Sequence, residues 1–248
     1  MKAVILAAGY ATRLYPLTID KPKCLLPVGG QTILDSICHK LNAVPEIDEI
    51  ILVTNARFFE VLSAWKDKAS SRVPIRVFND GTHSNETRLG AVGDLELAIK
   101  AASIDSDFLL LASDNLFDQD LSEFIKFSRQ KKNQLCVSVF DIGDPALAAG
   151  KFGVVEADAE GRVLSMEEKP LKPKSSFIGM GLYFFPKALI EPIHTFHKEH
   201  PDKDAPGFLI RWIFEKHPPI YSFLFKGLWY DIGDLKALEE ANKIFTKK

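Results

Sequence analysis

KAVILAA, residues 2–8, runs directly into GYATRLYPLTIDKPKCLLPV, residues 9–28. The first stretch is a short, unbroken apolar run, the pattern of a strand covered on both faces and so of a parallel sheet flanked by helices. The second opens on Gly9, carries Arg13, Lys21 and Lys23, and is stiffened by Pro16 and Pro22. A strand followed by a glycine-opened, cationic loop is an arrangement for holding polyphosphate at the carboxyl end of an open α/β sheet. Backbone N–H groups approach the anion there, Arg13 offers a planar fork, and Lys23 offers a point charge. On these residues alone, a solvated surface loop with unspecific charges is an equal alternative.

Working outward, apolar runs alternate with helical patterns through the first half. Strands are expected at 2–7, 49–54, 74–78 and 107–112, with helices at 31–43, 57–68 and 89–101. After about residue 133 strands dominate, at 134–140, 152–156, 162–167 and 177–185. Helices return at 187–199 and 208–216, and a strand at 220–225 and a helix at 235–246 end the pattern. This is a doubly wound α/β layout with a strand-rich C-terminal half. No repeat or flexible linker divides it, so residues 1–248 are expected to form a single domain, with 1–133 and 134–248 as its halves.

Bulk properties narrow the classes of function. A formal charge of −2 over 248 residues gives no reason to expect nucleic acid or an acidic membrane as partner. Any anion must be held by locally placed cations. Three scattered cysteines, Cys24, Cys38 and Cys136, suit buried hydrophobes in a reducing compartment. No apolar run has the length of a membrane span or signal peptide, and a cytoplasmic location is expected.

The opening loop resembles the signature of the sugar-1-phosphate nucleotidyltransferases, G-x-G-T-R-x-x-P-x-T-x-x-x-P-K. Gly9, Thr12, Arg13, Pro16, Thr18, Pro22 and Lys23 fall in register, and Ala11 replaces the second glycine. Further segments resemble that family in order and spacing: LGAVGDL (89–95), LLASDNLF (110–117), FGVVE (152–156), MEEKP (166–170), FIGMGLYFF (177–185) and GLWYDIGD (227–234). The resemblance implies a Rossmann-like mixed, mainly parallel sheet with helices on both faces and a smaller sugar-binding region in the C-terminal half.

It also implies a reaction, in which an NTP and a sugar 1-phosphate give an NDP-sugar and pyrophosphate with Mg²⁺. Arg13 and Lys23 become the catalytic cations, and Ala8, Gly9, Thr12, Gly90 and Gly93 the nucleotide contacts. Gly153, Glu168, Lys169 and Gly179 become the sugar-phosphate contacts, and Asp114 and Asp231 the metal ligands. The partners implied are the two substrates, without nucleic acid or membrane, in a monomer or homo-oligomer. Transfer of CMP to phosphocholine or another alcohol phosphate, and an inactive NDP-sugar sensor, are the alternatives.

Each residue also has a plainer role. Asp114, directly after FLLLA, could be a turn residue or helix cap. Asp231, in an apolar segment, is costly without a partner or metal. Asp234 precedes Leu235, Leu238, Ala241 and Ile244 at helical spacing, which marks it as the N-cap of the last helix. His194, His197 and His200 are expected on a solvated helix face, and Trp212 and Phe214 in packing.

Overall fold

The computed structural model describes residues 1–201 and 205–245. Its strands are β1 (Lys2–Leu6), β2 (Pro27–Val28), β3 (Gln31–Thr32), β4 (Glu49–Thr54), β5 (Ile75–Asn79), β6 (Phe108–Ala112), β7 (Asn115–Phe117), β8 (Cys136–Asp141), β9 (Gly153–Ala157), β10 (Val163–Glu168), β11 (Phe177–Phe185), β12 (Tyr221–Phe225) and β13 (Trp229–Asp231). The helices are α1 (Ile33–Asn42), α2 (Phe59–Lys66), α3 (Gly90–Ala101), α4 (Ser122–Gln130), α5 (Ile190–Glu199), α6 (Pro206–Lys216) and α7 (Leu235–Phe245).

A nine-stranded sheet runs β10-β9-β11-β6-β1-β4-β5, with β8 pairing β11 and β12 off that path. Strands β6, β1, β4 and β5 are parallel neighbours, with Val4 level with Ile51 and Leu110. Strand β11 runs antiparallel to β6, carrying the sheet from the first half of the chain into the second without a break.

Alternation along β1 divides the core into two layers. Ala3 and Ile5 face one layer, with apolar residues of α1, α2, α4 and α7; Val4 faces the other, with α3, α5 and α6. Helices therefore cover both faces, which is why the central strands carry no polar side. Helix α1 starts with a reciprocal cap: Asp35 N–H donates to Thr32 Oγ1 (3.1 Å) and Thr32 N–H to Asp35 Oδ2 (3.2 Å).

Most element boundaries lie within two residues of the sequence expectation, the usual fraying of ends, and the expected 187–199 helix opens with a 3₁₀ turn over Lys187–Leu189 before α5. The end of the expected 235–246 helix lies outside the described residues. Helix α4 has no counterpart in the sequence reading, although Leu121, Phe124, Ile125 and Ser128 recur at helical spacing and are buried. The expected solvated histidine face is corrected. His194 and His197 are half-buried where α5 meets α3, and His194 Nδ1 lies 2.5 Å from Glu96 Oε2.

Candidate active site

Strand order reverses at β1: the chain goes next to β4 on one side and later to β6 on the other. A crevice opens beyond the carboxyl ends of strands at such a switch point. A cavity of about 450 Å³ lies there, walled by Leu6 to Arg13 after β1, by Ser113 and Asp114 after β6, and by Gly90, Ala91 and Asp94 of α3.

The opening loop is tied down on both sides of its turn. Asn55 Nδ2 donates to the Ala8 carbonyl (2.9 Å), and buried Thr18 donates its Oγ1–H to the Ala11 carbonyl (2.8 Å). Ala11 itself sits in left-handed backbone, φ 48° and ψ 42°. A residue with a Cβ adopts that region at a cost, so this position favours glycine.

Lys23 emerges at the start of a short 3₁₀ turn and donates to Asp114 Oδ2 at 2.5 Å. Asp114 Oδ1 accepts from Asn115 Nδ2 (2.9 Å), and Asn115 Oδ1 accepts from Trp229 Nε1 (2.8 Å). Asp231 lies opposite Asn115 in the antiparallel β7–β13 pair, and Ile232 N–H donates to the Asp114 carbonyl (3.0 Å). The two carboxylates are thus held side by side by backbone pairing. Burial first, then the neighbouring Asp114 charge, pushes the Asp231 carboxyl up to about 6, against the opposing pull of Lys23 and Arg13. Hard oxygen donors with mutual repulsion fit a divalent cation.

Asp234 takes the plainer role expected of it. Its Oδ1 accepts from Ala237 N–H (2.8 Å), capping α7.

The residues expected at the sugar gather at a second locus. Glu168, at the end of β10, lies against Gly153 of β9 and Gly207 of α6. Burial raises its carboxyl, and Lys169, with Nζ at 3.8 Å, partly offsets this. Lys169 has a left-handed backbone, φ 47°. Tyr183, which lines the cavity, is pushed above the ordinary tyrosine range by burial and by Glu168, so it links the two loci. Gly179 lies opposite Val139, near the Gly153 carbonyl.

Of the expected residues, the cavity brings together Ala8, Gly9, Thr12, Arg13, Lys23, Gly90 and Asp114. Gly93 lies beside it, against Leu89 and His197, and Asp231 stands behind Asp114.

The nucleotidyl transferase family model matches residues 2–248. The chain belongs to that family. It is 30% identical to the bifunctional protein GlmU of Methanocaldococcus jannaschii over 100% of this chain and 55% of that protein. It is 27% identical to a glucose-1-phosphate thymidylyltransferase of Streptomyces antibioticus over 98% of this chain and 65% of that protein. The chain therefore spans little more than half the length of GlmU and about two thirds of the other. Its fold is that of a UDP-glucose pyrophosphorylase solved with UDP-glucose, with a TM-score of 0.82 at 19% identity over 99% and 98% of the two chains.

Within this transferase fold, the sequence reading missed Tyr10, Gly181 and Tyr183 of the cavity wall. Period-two alternation in FIGMGLYFF carries a signal for two of them: Gly181 and Tyr183 share the face that reaches the cavity. Tyr10 carried none, because its burial depends on a distant hydroxyl, Thr82 Oγ1 at 3.1 Å.

Proposed function

We propose that this chain is a nucleotidyltransferase that condenses an NTP with a sugar 1-phosphate, giving an NDP-sugar and pyrophosphate. The observation that carries this reading is the cavity at the sheet's switch point, where Arg13, Lys23 and Asp114 converge beside Asp231. Triphosphate needs cations and backbone N–H groups, and the opening loop supplies both.

An oxygen of the sugar phosphate attacks the α-phosphorus and forms a new P–O bond. The bond from that phosphorus to the bridging oxygen breaks, and pyrophosphate leaves with its electron pair. The attacking oxygen is already anionic, so no side chain has to remove a proton. Residues are needed to hold two anions together in line and offset their repulsion. Arg13 would grip the leaving phosphates, and Lys23 would turn from Asp114 towards the reacting phosphates. Lys169 would pair with the sugar phosphate, and Glu168 would accept from sugar hydroxyls. Asp114 and Asp231 would hold Mg²⁺, which when bound neutralises charge on phosphate oxygens.

Residues 1–133 would mainly serve the nucleotide and 134–248 the sugar phosphate, as one catalytic unit. Among the described residues no helix is long and apolar enough to cross a membrane. Burial pushes the thiols of Cys24, Cys38 and Cys136 up to about 12, which keeps them inert, and the proposed place of action is the cytoplasm.

The test is pyrophosphate release with Mg²⁺, each common NTP being crossed with a panel of sugar and alcohol phosphates. A sugar 1-phosphate should be the productive acceptor. Turnover with phosphocholine alone would redirect the acceptor, and nucleotide binding without release from any pair would discard the enzyme reading.

A further inference from the structure

Strand order fixes which end of an NTP lies where in the cavity. Asp114, with Lys23 against it, follows β6 on one side of β1, whereas β4 and then β5 lie on the other. The 80–88 loop follows β5 and is anchored beside β4: Asp80 N–H donates to the Thr54 carbonyl (2.8 Å) and Ala56 N–H to the Thr82 carbonyl (2.9 Å). Helix α3 comes next and packs on β1 and β4, with Val92 and Leu95 in the layer of Val4, Ile51 and Val53. Phosphates drawn to Arg13 and Lys23 therefore leave the base to the wall made by the 80–88 loop and α3.

Helix α3 lines the cavity with Gly90, Ala91 and Asp94, so on this stretch the one polar side chain is a carboxylate. Asp94 is only 5% exposed, and its Oδ1 has no hydrogen-bond partner among the described residues. A buried carboxylate oxygen without a donor is costly. Burial, then the like charge of Asp80, pushes the Asp94 carboxyl up to about 8, so the fold holds its anion poorly. A ligand that brings donors into the cavity would supply what the chain withholds.

An ionised carboxylate only accepts hydrogen bonds, and its two oxygens suit two N–H donors side by side. Guanine presents such a pair, N1–H and the 2-amino group. Uracil and thymine offer a single N3–H flanked by carbonyls, and adenine and cytosine set their amino group beside a ring-nitrogen acceptor. With any of those four bases one carboxylate oxygen would face an acceptor. We propose that Asp94 reads the base in this cavity, accepting from N1–H and the 2-amino group of guanine, so that GTP is the nucleotide this chain selects. The inference rests on reading the cavity as a nucleoside triphosphate site and adds which triphosphate it takes. Both N–H groups together hold the carboxyl ionised, which the empty cavity does not.

The experiment measures the Kd of the whole chain for GTP, ITP, XTP, ATP, UTP, dTTP and CTP, with Mg²⁺ throughout, in the wild type and in Asp94→Asn. Inosine lacks the 2-amino group of guanosine, and xanthosine carries a carbonyl in its place. The wild type should bind GTP more tightly than ITP, and about 5- to 150-fold more tightly than ATP, UTP, dTTP or CTP, the discrimination of one bidentate base contact. The Asp94→Asn amide offers one acceptor and one donor, which fits xanthine, so the order of GTP and XTP should invert. An aspartate that only supports the fold would shift all affinities together and leave that order unchanged. Equal binding of GTP and ITP by the wild type, preference for another base, or an unchanged order in folded Asp94→Asn overturns the inference and leaves the nucleotide reading intact. The wild-type comparison of GTP with ITP decides even if the variant does not fold. Failure of the wild type to bind any triphosphate removes both readings.

Discussion

Gly207 is the position where a single methyl group should separate the sugar half of the site from the nucleotide half. It lies in the first turn of α6, and a Cβ built on it would fall well inside 3.0 Å of the Glu168 carboxylate, with Oε1 at 3.1 Å. The same carboxylate lies 3.0 Å from a Cβ built on Gly153, so it occupies a slot between two glycines. Gly207→Ala must therefore swing Glu168 out of its place. A hydrogen bond from a sugar hydroxyl to a charged acceptor contributes about 1.5–3 kcal/mol, so losing it should raise the sugar-phosphate KM roughly 10- to 150-fold.

Stability should change little. The gain from alanine in a helix, up to about 1 kcal/mol, opposes a rotamer cost of about 0.5–1.5 kcal/mol at Glu168. The assay is pyrophosphate release against sugar phosphate at saturating NTP, with thermal melting alongside. Glu168→Ala completes a double-mutant cycle: with the carboxylate gone, adding Gly207→Ala should cost less than about twofold, because the two changes act through one contact. A normal sugar-phosphate KM in a folded Gly207→Ala variant, or an added penalty as large as in the wild type, refutes the placement of Glu168 at the sugar.

Four further outcomes are expected. Lys23→Ala and Arg13→Ala should each lower kcat by about 10²–10³ in pyrophosphate release, the loss from removing one charge-stabilising donor, while circular dichroism stays native. Ala11→Gly relieves a left-handed backbone costing about 1–2 kcal/mol and returns about 0.5–1 kcal/mol of chain freedom, so melting should rise by roughly 2–4 °C; a fall would show that the turn is not strained. Asp234→Ala should lower melting by roughly 2–4 °C through loss of a cap contributing about 1 kcal/mol and keep its Mg²⁺ dependence. Asp231→Asn should do the reverse, losing turnover without losing stability, since it removes one of two neighbouring anions.

Much of this arrangement was legible because it is local. A continuous apolar strand reports a covered sheet without knowledge of any partner, while the glycine and cations that follow it left an anion site and a solvated loop equally open until the other motifs were read. Asp234 was legible for the same reason, since a cap depends on the helix that follows it. What stayed hidden depends on long-range pairing. Asp114 and Asp231, joined in the sequence only through the family resemblance, meet because β13 pairs with β7 across nearly half of the chain, and no spacing rule contains that register. The histidines of α5 misled because amphipathic spacing shows which residues share a face, not what the face meets.

The charge balance of the cavity explains why the opening loop needs its cations paired before any substrate arrives. Arg13 and Lys23 roughly offset Asp114 and Asp231, so these four side chains together are close to neutral, and the two cations temper the repulsion between the carboxylates. An NTP and a sugar phosphate together bring several negative charges into the same space, more than two cations can offset. Lys23 cannot serve Asp114 and the phosphates equally well, so substrate entry must leave the carboxylates short of a partner. If Asp114 and Asp231 hold a divalent cation as proposed, it would meet both needs, supplying positive charge to the carboxylates and beside the phosphates. On the proposed reading, the 2.5 Å contact between Lys23 and Asp114 is one that a bound metal ion would relieve.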